Sequence, residues 1–281
     1  MQPDFGTMFI YFLIFMFLAF FGNMNTEFLI SILIIIIVGT TIPTLRAYYN
    51  TIDIYIKIKN IIYSNTYFYI LTFIFFASSI FFLILYLKFN SKKMKLLTFV
   101  FASFGFSFLL GIFLDSYFAD YQKQRLLVFI NPNFDRLGAG YNIIQSKIAI
   151  GSGGLFGKGL FKGTQSQFGF LPERTTDFIF SLICEETGFI GAFLLLSIYA
   201  LMLGRLLWIT FKIKDTFGKL ITLGVFSYFF SQSVLNIGMT IGLMPITGVP
   251  LPFISSGGSS LINSIYSIML VNSIYMYRYS T

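Results

Sequence analysis

Histidine does not occur among the 281 residues, and cysteine occurs once, at Cys184. Without imidazole, acid–base chemistry falls to carboxylates, lysines or tyrosines, and histidine-based metal sites are excluded. A single thiol rules out an internal disulfide and a cysteine metal cluster. Charge is scarce as well: 11% of the residues are charged, where a soluble domain carries about twice that share. Eleven residues are acidic, so the position of each carboxylate carries information.

Apolar residues make up 56% of the chain and aromatic residues 20%, and mean hydropathy is +0.81. Seven apolar stretches lie near 5–21, 28–44, 67–87, 96–114, 178–203, 220–242 and 259–277. Most reach the roughly 17–25 residues that a helix needs to cross a bilayer. The expected fold is all-α: a polytopic membrane helix bundle of about seven transmembrane helices with one large extracytoplasmic loop. Asp4 precedes the first stretch and no basic segment does, so a cleaved signal peptide is not expected there.

Basic residues in short loops orient such helices. Lys88, Lys92, Lys93 and Lys95 fall between the third and fourth stretches. Arg205, Lys212, Lys214 and Lys219 fall between the fifth and sixth, and Arg278 follows the last. Taking these segments as cytoplasmic places residues 43–66 outside, against the sign of Arg46, Lys57 and Lys59. It also places 116–176 outside as one long segment, and a segment of that length is usually functional. The expected division is one membrane domain over 1–281, with four helices in 1–115, the outer segment 116–176, and three helices in 177–281. The outer segment holds seven basic residues (Lys123, Arg125, Arg136, Lys147, Lys158, Lys162, Arg174) against Asp120, Asp135 and Glu173. Such a balance either solvates a loop near anionic lipid or attracts an anionic ligand. The alternating stretch IDIYIKIKN (52–60) reads as a strand or an interfacial segment.

Within the outer segment, GSGGLFGKGLFKG (151–163) contains six glycines. It is not a Walker A loop: Ser152 stands where the first glycine is needed, and Gly159 stands where Ser or Thr would follow the lysine. Glycines still permit close backbone approach to a ligand beside Lys158 and Lys162. Further on, LPERTTDFIFSLICEETG (171–188) sets Asp177 at an expected helix start, with Thr175 or Thr176 as N-cap. Asp177 is open to two readings, a helix-start residue favoured by the dipole or a general base held at the membrane surface. Glu185 and Glu186 lie two turns deeper and point away from Asp177 on an ideal helix, so the three do not form one cluster. Carboxylates at that depth point to function or to an interhelical partner. Three of the seven prolines fall in MPITGVPLPFISSGGSS (244–260), an irregular stretch that is either a turn or a cavity wall.

These stretches together closely resemble the SEDS family of peptidoglycan polymerases, and the RodA-type branch more than its relative FtsW. The resemblance rests on RLGAGYNIIQSKIAIGSGGLFGKG (136–159), GTQSQFGFLPERTTDFIF (163–180), EETGFIGA (185–192) and NIGMTIGLMPITGVPLPFISSGGSS (236–260). It is continuous from Asp120 to about Tyr277, and QPDFGT (2–7) resembles the loop before the family's sixth helix. On this reading the helices preceding that loop are absent, so the chain resembles a truncated product or a fragment, and two helices are additional between QPDFGT and DYQKQR.

The resemblance implies a glycosyltransferase of the bacterial cytoplasmic membrane that polymerises lipid II during cell-wall elongation, beside a class B penicillin-binding protein transpeptidase. It implies Asp177 as the essential carboxylate. Lys147, Lys158, Lys162, Gln165, Glu173, Arg174, Ser256 and Asp4 lie in the matching motifs as candidate substrate contacts. No cofactor is required by this chemistry, and a divalent cation beside the pyrophosphate remains an option. A sugar hydroxyl needs one base to become a nucleophile, and cations steady the departing pyrophosphate. Two other readings use the same features: a lipid II flippase, and an inactive truncated scaffold that binds a transpeptidase.

Overall fold

The structure, a computed structural model, describes residues 5–51, 65–118, 120–164 and 175–277. Those residues form nine α-helices and one short 3-10 turn. Seven helices coincide with the seven apolar stretches: α1 (Phe5–Phe21), α2 (Thr26–Thr51), α3 (Asn65–Phe89), α4 (Lys92–Tyr117), α7 (Ile179–Lys212), α8 (Thr216–Thr240) and α9 (Gly258–Tyr277). Five of them, α2, α3, α4, α7 and α8, are long and apolar enough to cross a membrane. At 17 residues α1 is shorter, and α9 is diluted by Asn263, Asn272 and five serines.

The other two helices, α5 (Asp120–Ile130) and α6 (Ala139–Ser152), stand in the segment expected as a loop. The Asn131 side chain accepts from the Asn133 amide and Pro132 fixes the first φ of the 3-10 turn Pro132–Asp135 between them. Helix α6 forms because Ile143, Ser146 and Ala149 recur every three residues and are all at most 1% exposed. Ser146 donates to the Thr240 carbonyl at 2.7 Å, which fixes α6 against the end of α8. The IDIYIKIKN stretch lies outside the described residues.

Burial runs opposite to that of a soluble protein. Phe73, Leu87, Leu201 and Phe217 are exposed, while Ser107, Ser227, Asn236 and Thr240 are wholly buried. A hydrocarbon surround rewards this inversion, because polar groups facing lipid have nothing to bond. Hydroxyls that remain in the helices close on their own backbone: Thr72 donates to the Phe68 carbonyl, Ser103 to Phe99 and Thr210 to Leu206.

The packing divides into two compact units, residues 1–22 with 128–281, and residues 23–127. In the second, Gly39 of α2 and Gly111 of α4 let the two backbones meet; a Cβ on Gly111 would overlap Ile42 and lie 2.9 Å from the Gly39 carbonyl oxygen. Phe75 of α3 stacks on Phe104 and Phe108 of α4, and Arg46 pairs with Asp115 at 2.6 Å while Lys123 approaches the same carboxylate at 3.1 Å. In the first, Leu206, Leu223, Phe226, Phe229 and Val271 form the core, and Phe17 of α1 meets Phe226 and Phe230 edge-on.

Leu137 is 96% exposed in the segment expected to face outward. A Leu137→Cys variant in a Cys184→Ser background is expected to react with a membrane-impermeant thiol reagent in intact cells. Reaction only after lysis would reverse the orientation.

Candidate active site

The turn Thr175–Phe178 precedes α7, and the helix begins two residues after Asp177, with Phe178 at the N-cap and no side-chain cap. Sequence reasoning placed Asp177 inside the first turn with Thr175 or Thr176 as cap, and that is corrected here. Burial is the reason: Phe178 is 1% exposed and Phe180 4%, and seating both draws the preceding residues out of helical geometry. Asp177 still sits just before the helix, at its positive end.

Three successive carbonyls of this turn are taken by side chains from other segments. Ser256 donates its hydroxyl to Thr175 at 2.9 Å, with its amide on the same oxygen at 2.9 Å. Ser255 donates to Thr176 at 2.6 Å. Asn236 of α8 donates to Asp177 at 2.8 Å and to the Val249 carbonyl at 2.7 Å. The proline-rich stretch is held in turn, since Ser255 accepts from the Leu251 amide at 2.7 Å and the Tyr199 hydroxyl donates to Pro252. Asp177 therefore has a fixed backbone and a partly exposed side chain. Its Oδ2 would lie 3.5 Å from a Cβ on Gly248, whose φ of +67° suits glycine, so the carboxylate borders a strip of backbone without a side chain. Ser256, expected as a substrate contact, holds the turn. Asn236 and Ser255 were not singled out from sequence; an asparagine within an apolar helix was the available signal.

The glycine-rich segment meets α7 where that helix is interrupted. Gly188 has φ 68° and ψ −164°, which no helix contains. An unbroken helix would bond the amides of Phe189 and Ile190 to the carbonyls of Glu185 and Glu186. Here those amides donate to Gly154 at 2.9 Å and Leu155 at 3.2 Å, while the two carbonyls accept from Lys158 and Gly159, each at 3.0 Å. Four broken helical partners are thus satisfied by one loop. A Cβ on Gly157 would overlap the Glu186 carbonyl, and one on Gly188 would overlap the Gly157 amide. The glycines serve backbone approach, as expected, but to a helix of the same chain.

The exchange also decides what Lys158 does. Its ammonium pairs with Glu185 at 2.8 Å and donates to Thr164 at 2.8 Å; Thr164 in turn donates to Glu185 at 3.0 Å. Glu185 is wholly buried, so this is its charge partner, reached from the loop rather than from another helix. Lys162 is exposed and makes no ion pair among the described residues. Lys147 is exposed on α6 and lies against Gly242, at the negative end of α8. Asp4, Gln165, Glu173 and Arg174 lie outside the described residues. The structure thus joins Ser256 to the turn that carries Asp177, through Thr175, and Lys158 to Glu185.

The sequence pattern of the FtsW/RodA/SpoVE family of cell cycle proteins matches residues 70–280. The chain belongs to this family. It is 51% identical over 159 residues to peptidoglycan glycosyltransferase MrdB of Escherichia coli K12, covering 57% of this chain and 43% of that protein. It is 37% identical over 279 residues to peptidoglycan glycosyltransferase RodA of Treponema pallidum, covering 97% and 63%. The chain thus spans roughly half the length of these two curated relatives. The Treponema alignment takes in nearly the whole chain, so the helices that looked additional have a counterpart there. A solved structure titled "Structural coordination of polymerization and crosslinking by a peptidoglycan synthase complex" shares the fold, with a TM-score of 0.52 at 20% identity over all of both chains. As a family member with several membrane-length helices, it is a multi-pass protein of the bacterial inner membrane.

Within this family member, the broken helix yields two expectations. Gly188→Ala is expected to cost about 1–3 kcal/mol, because alanine does not adopt that backbone conformation. Lys158→Met strands a buried carboxylate and is expected to cost about 3 kcal/mol, with most of the loss recovered when Glu185→Gln is added. Unfolding in detergent, followed by tryptophan fluorescence from Trp208, measures all three variants; equal stability of Lys158→Met and the parent would remove the pair from the argument.

Proposed function

We propose that this chain polymerises lipid II into glycan strands during cell-wall elongation, with Asp177 as general base. The observation that carries the reading is the clamped turn: three carbonyls around Asp177 are immobilised, while its carboxylate stands beside glycine backbone. A rigid base next to open backbone suits a reaction in which one proton must be removed at one place. The site also precedes a membrane-spanning helix, at the level where a sugar on a polyprenyl anchor meets the lipid surface.

The acceptor is a sugar 4-hydroxyl, and the donor carries pyrophosphate on its anomeric carbon. Asp177 takes the hydroxyl proton as the oxygen attacks the anomeric carbon. The bond to pyrophosphate breaks, its electrons leave with the phosphate oxygen, and one displacement inverts the α-linked donor to a β-linked product. The leaving group needs cations. Since Lys158 is neutralised by Glu185, that role passes to Lys162, with Arg174 and Lys147 as further candidates. Gln165, Glu173 and Asp4 remain candidate substrate contacts, and Ser256 acts through the turn. A divalent cation beside the pyrophosphate would supply the same charge stabilisation. A class B penicillin-binding protein transpeptidase is the proposed partner, in keeping with the synthase complex whose fold is similar. The flippase and scaffold readings need no base and leave the clamped carboxylate without purpose.

The test is polymerisation of lipid II by the purified chain with its transpeptidase partner. Asp177→Asn is expected to lower the rate by roughly 10²–10⁴ while the protein stays folded. As a mere helix-flanking residue, Asp177 would cost only about 0.3–1 kcal/mol of stability when replaced and leave the rate near parental. Lys162→Ala should reduce the rate without the stability loss of Lys158→Met. A folded Asn variant that polymerises like its parent refutes the mechanism.

A further inference from the structure

At the end of α7 remote from Asp177, four cations gather around exposed aromatic rings. Arg205, Trp208 and Lys212 lie on one face of the helix. The Arg205 guanidinium stands 4.1 Å from the Trp208 ring centroid and the Lys212 ammonium 3.6 Å from it. Tyr275 of α9 sits beside the same indole at 6.2 Å, and Lys219 lies 6.0 Å from the ring of Phe211. Lys214 completes the set. None of the four cations makes an ion pair among the described residues. The one carboxylate here, Asp215, accepts from the Gly218 amide at 2.7 Å and caps α8. Two like charges held on a single ring repel each other, so an anion between them relieves the arrangement.

Beside these cations a cleft of about 560 Å³ opens, lined by Lys214, Phe217, Ile221, Leu270, Ile274 and Tyr277. Its walls are mainly hydrocarbon and aromatic, and its charged lining is Lys214 with the helix-capping Asp215. Depth identifies the occupant. Lys212 lies 24 residues beyond the break at Gly188, about 36 Å along a helix at 1.5 Å per residue. Hydrocarbon alone spans about 30 Å and the headgroup layers bring it to about 40–45 Å. A helix of that length crosses the hydrocarbon, so the cations near its C-terminal end, remote from Asp177, stand in a headgroup layer, with the apolar cleft beside them.

We propose that this patch is a binding site for an anionic phospholipid, its headgroup phosphate between Arg205, Lys212 and Lys214 and an acyl chain in the cleft. Charge complementarity of the cation cluster and the greasy groove beside it carry the assignment, and it does not depend on the polymerase reading. Trp208 holds the two flanking cations in place and anchors the helix at the interface.

Native mass spectrometry of the full chain tests it, after exchange into micelles containing equal phosphatidylglycerol and phosphatidylcholine. The parent is expected to retain phosphatidylglycerol in preference. Each basic residue near an anionic surface contributes about fivefold, so Arg205→Gln with Lys212→Gln should reduce retention roughly thirtyfold. Trp208→Leu should weaken it by a smaller factor with both charges present. Lys92→Gln with Lys93→Gln removes the same charge elsewhere and should leave retention at the parental value. Equal loss in that control would make the effect one of net charge and overturn the site. Equal retention by parent and patch variant would overturn it too. Displacement of the lipid by millimolar inorganic phosphate would assign the cations to a free anion and defeat the lipid assignment.

Discussion

A peptide group that leaves helical geometry within a membrane protein must find another partner, because lipid offers none. In this chain that constraint acts at two places. Where α7 breaks at Gly188, loop 154–159 takes over the four backbone groups that the helix releases. Where the chain enters α7, Ser255, Ser256 and Asn236 take the carbonyls of Thr176, Thr175 and Asp177. The first fixes the glycine-rich loop and the second fixes the candidate base.

Both devices act on the same short stretch of α7, from Asp177 to Gly188. One end is held by the serine-rich segment after α8, the other by the loop after α6. The carboxylates in this stretch divide accordingly. Asp177 sits partly exposed beside bare glycine backbone, whereas Glu185 is sealed with Lys158 and Thr164. Glu185 is committed to a charge partner, while Asp177 is half-buried on a fixed backbone. Burial, not residue type, separates their surroundings.

The two ends of α7 also differ chemically. At one, an acid lies among immobilised carbonyls. At the other, cations without an ion pair among the described residues lie against exposed aromatic rings next to an apolar cleft. Beyond its break at Gly188 the helix is still long enough to cross the hydrocarbon, so the two chemistries are kept at its opposite ends.

The membrane class and the seven apolar helices were legible in the sequence, while the residue pattern left Asp177 open between two readings. Hydropathy is summed residue by residue, and the bilayer reads it the same way, so a run such as 67–87 declares itself without its neighbours. The partners were not legible. Lys158 and Lys162 look equivalent in GKGLFKG, yet one meets Glu185 across 27 positions and the other does not. Asn236 reaches Asp177 across 59 positions, and nothing local to NIGMT announces it. Helices α5 and α6 were hidden because their apolar faces are narrow, and α6 has something to bury against only once α7 and the end of α8 are in place. Sequence alone determined which segments enter the membrane, because that depends on each segment's own transfer into lipid. Tertiary structure decided which carboxylate is sealed with a lysine and which stays partly exposed, because that depends on pairings between segments far apart in the chain.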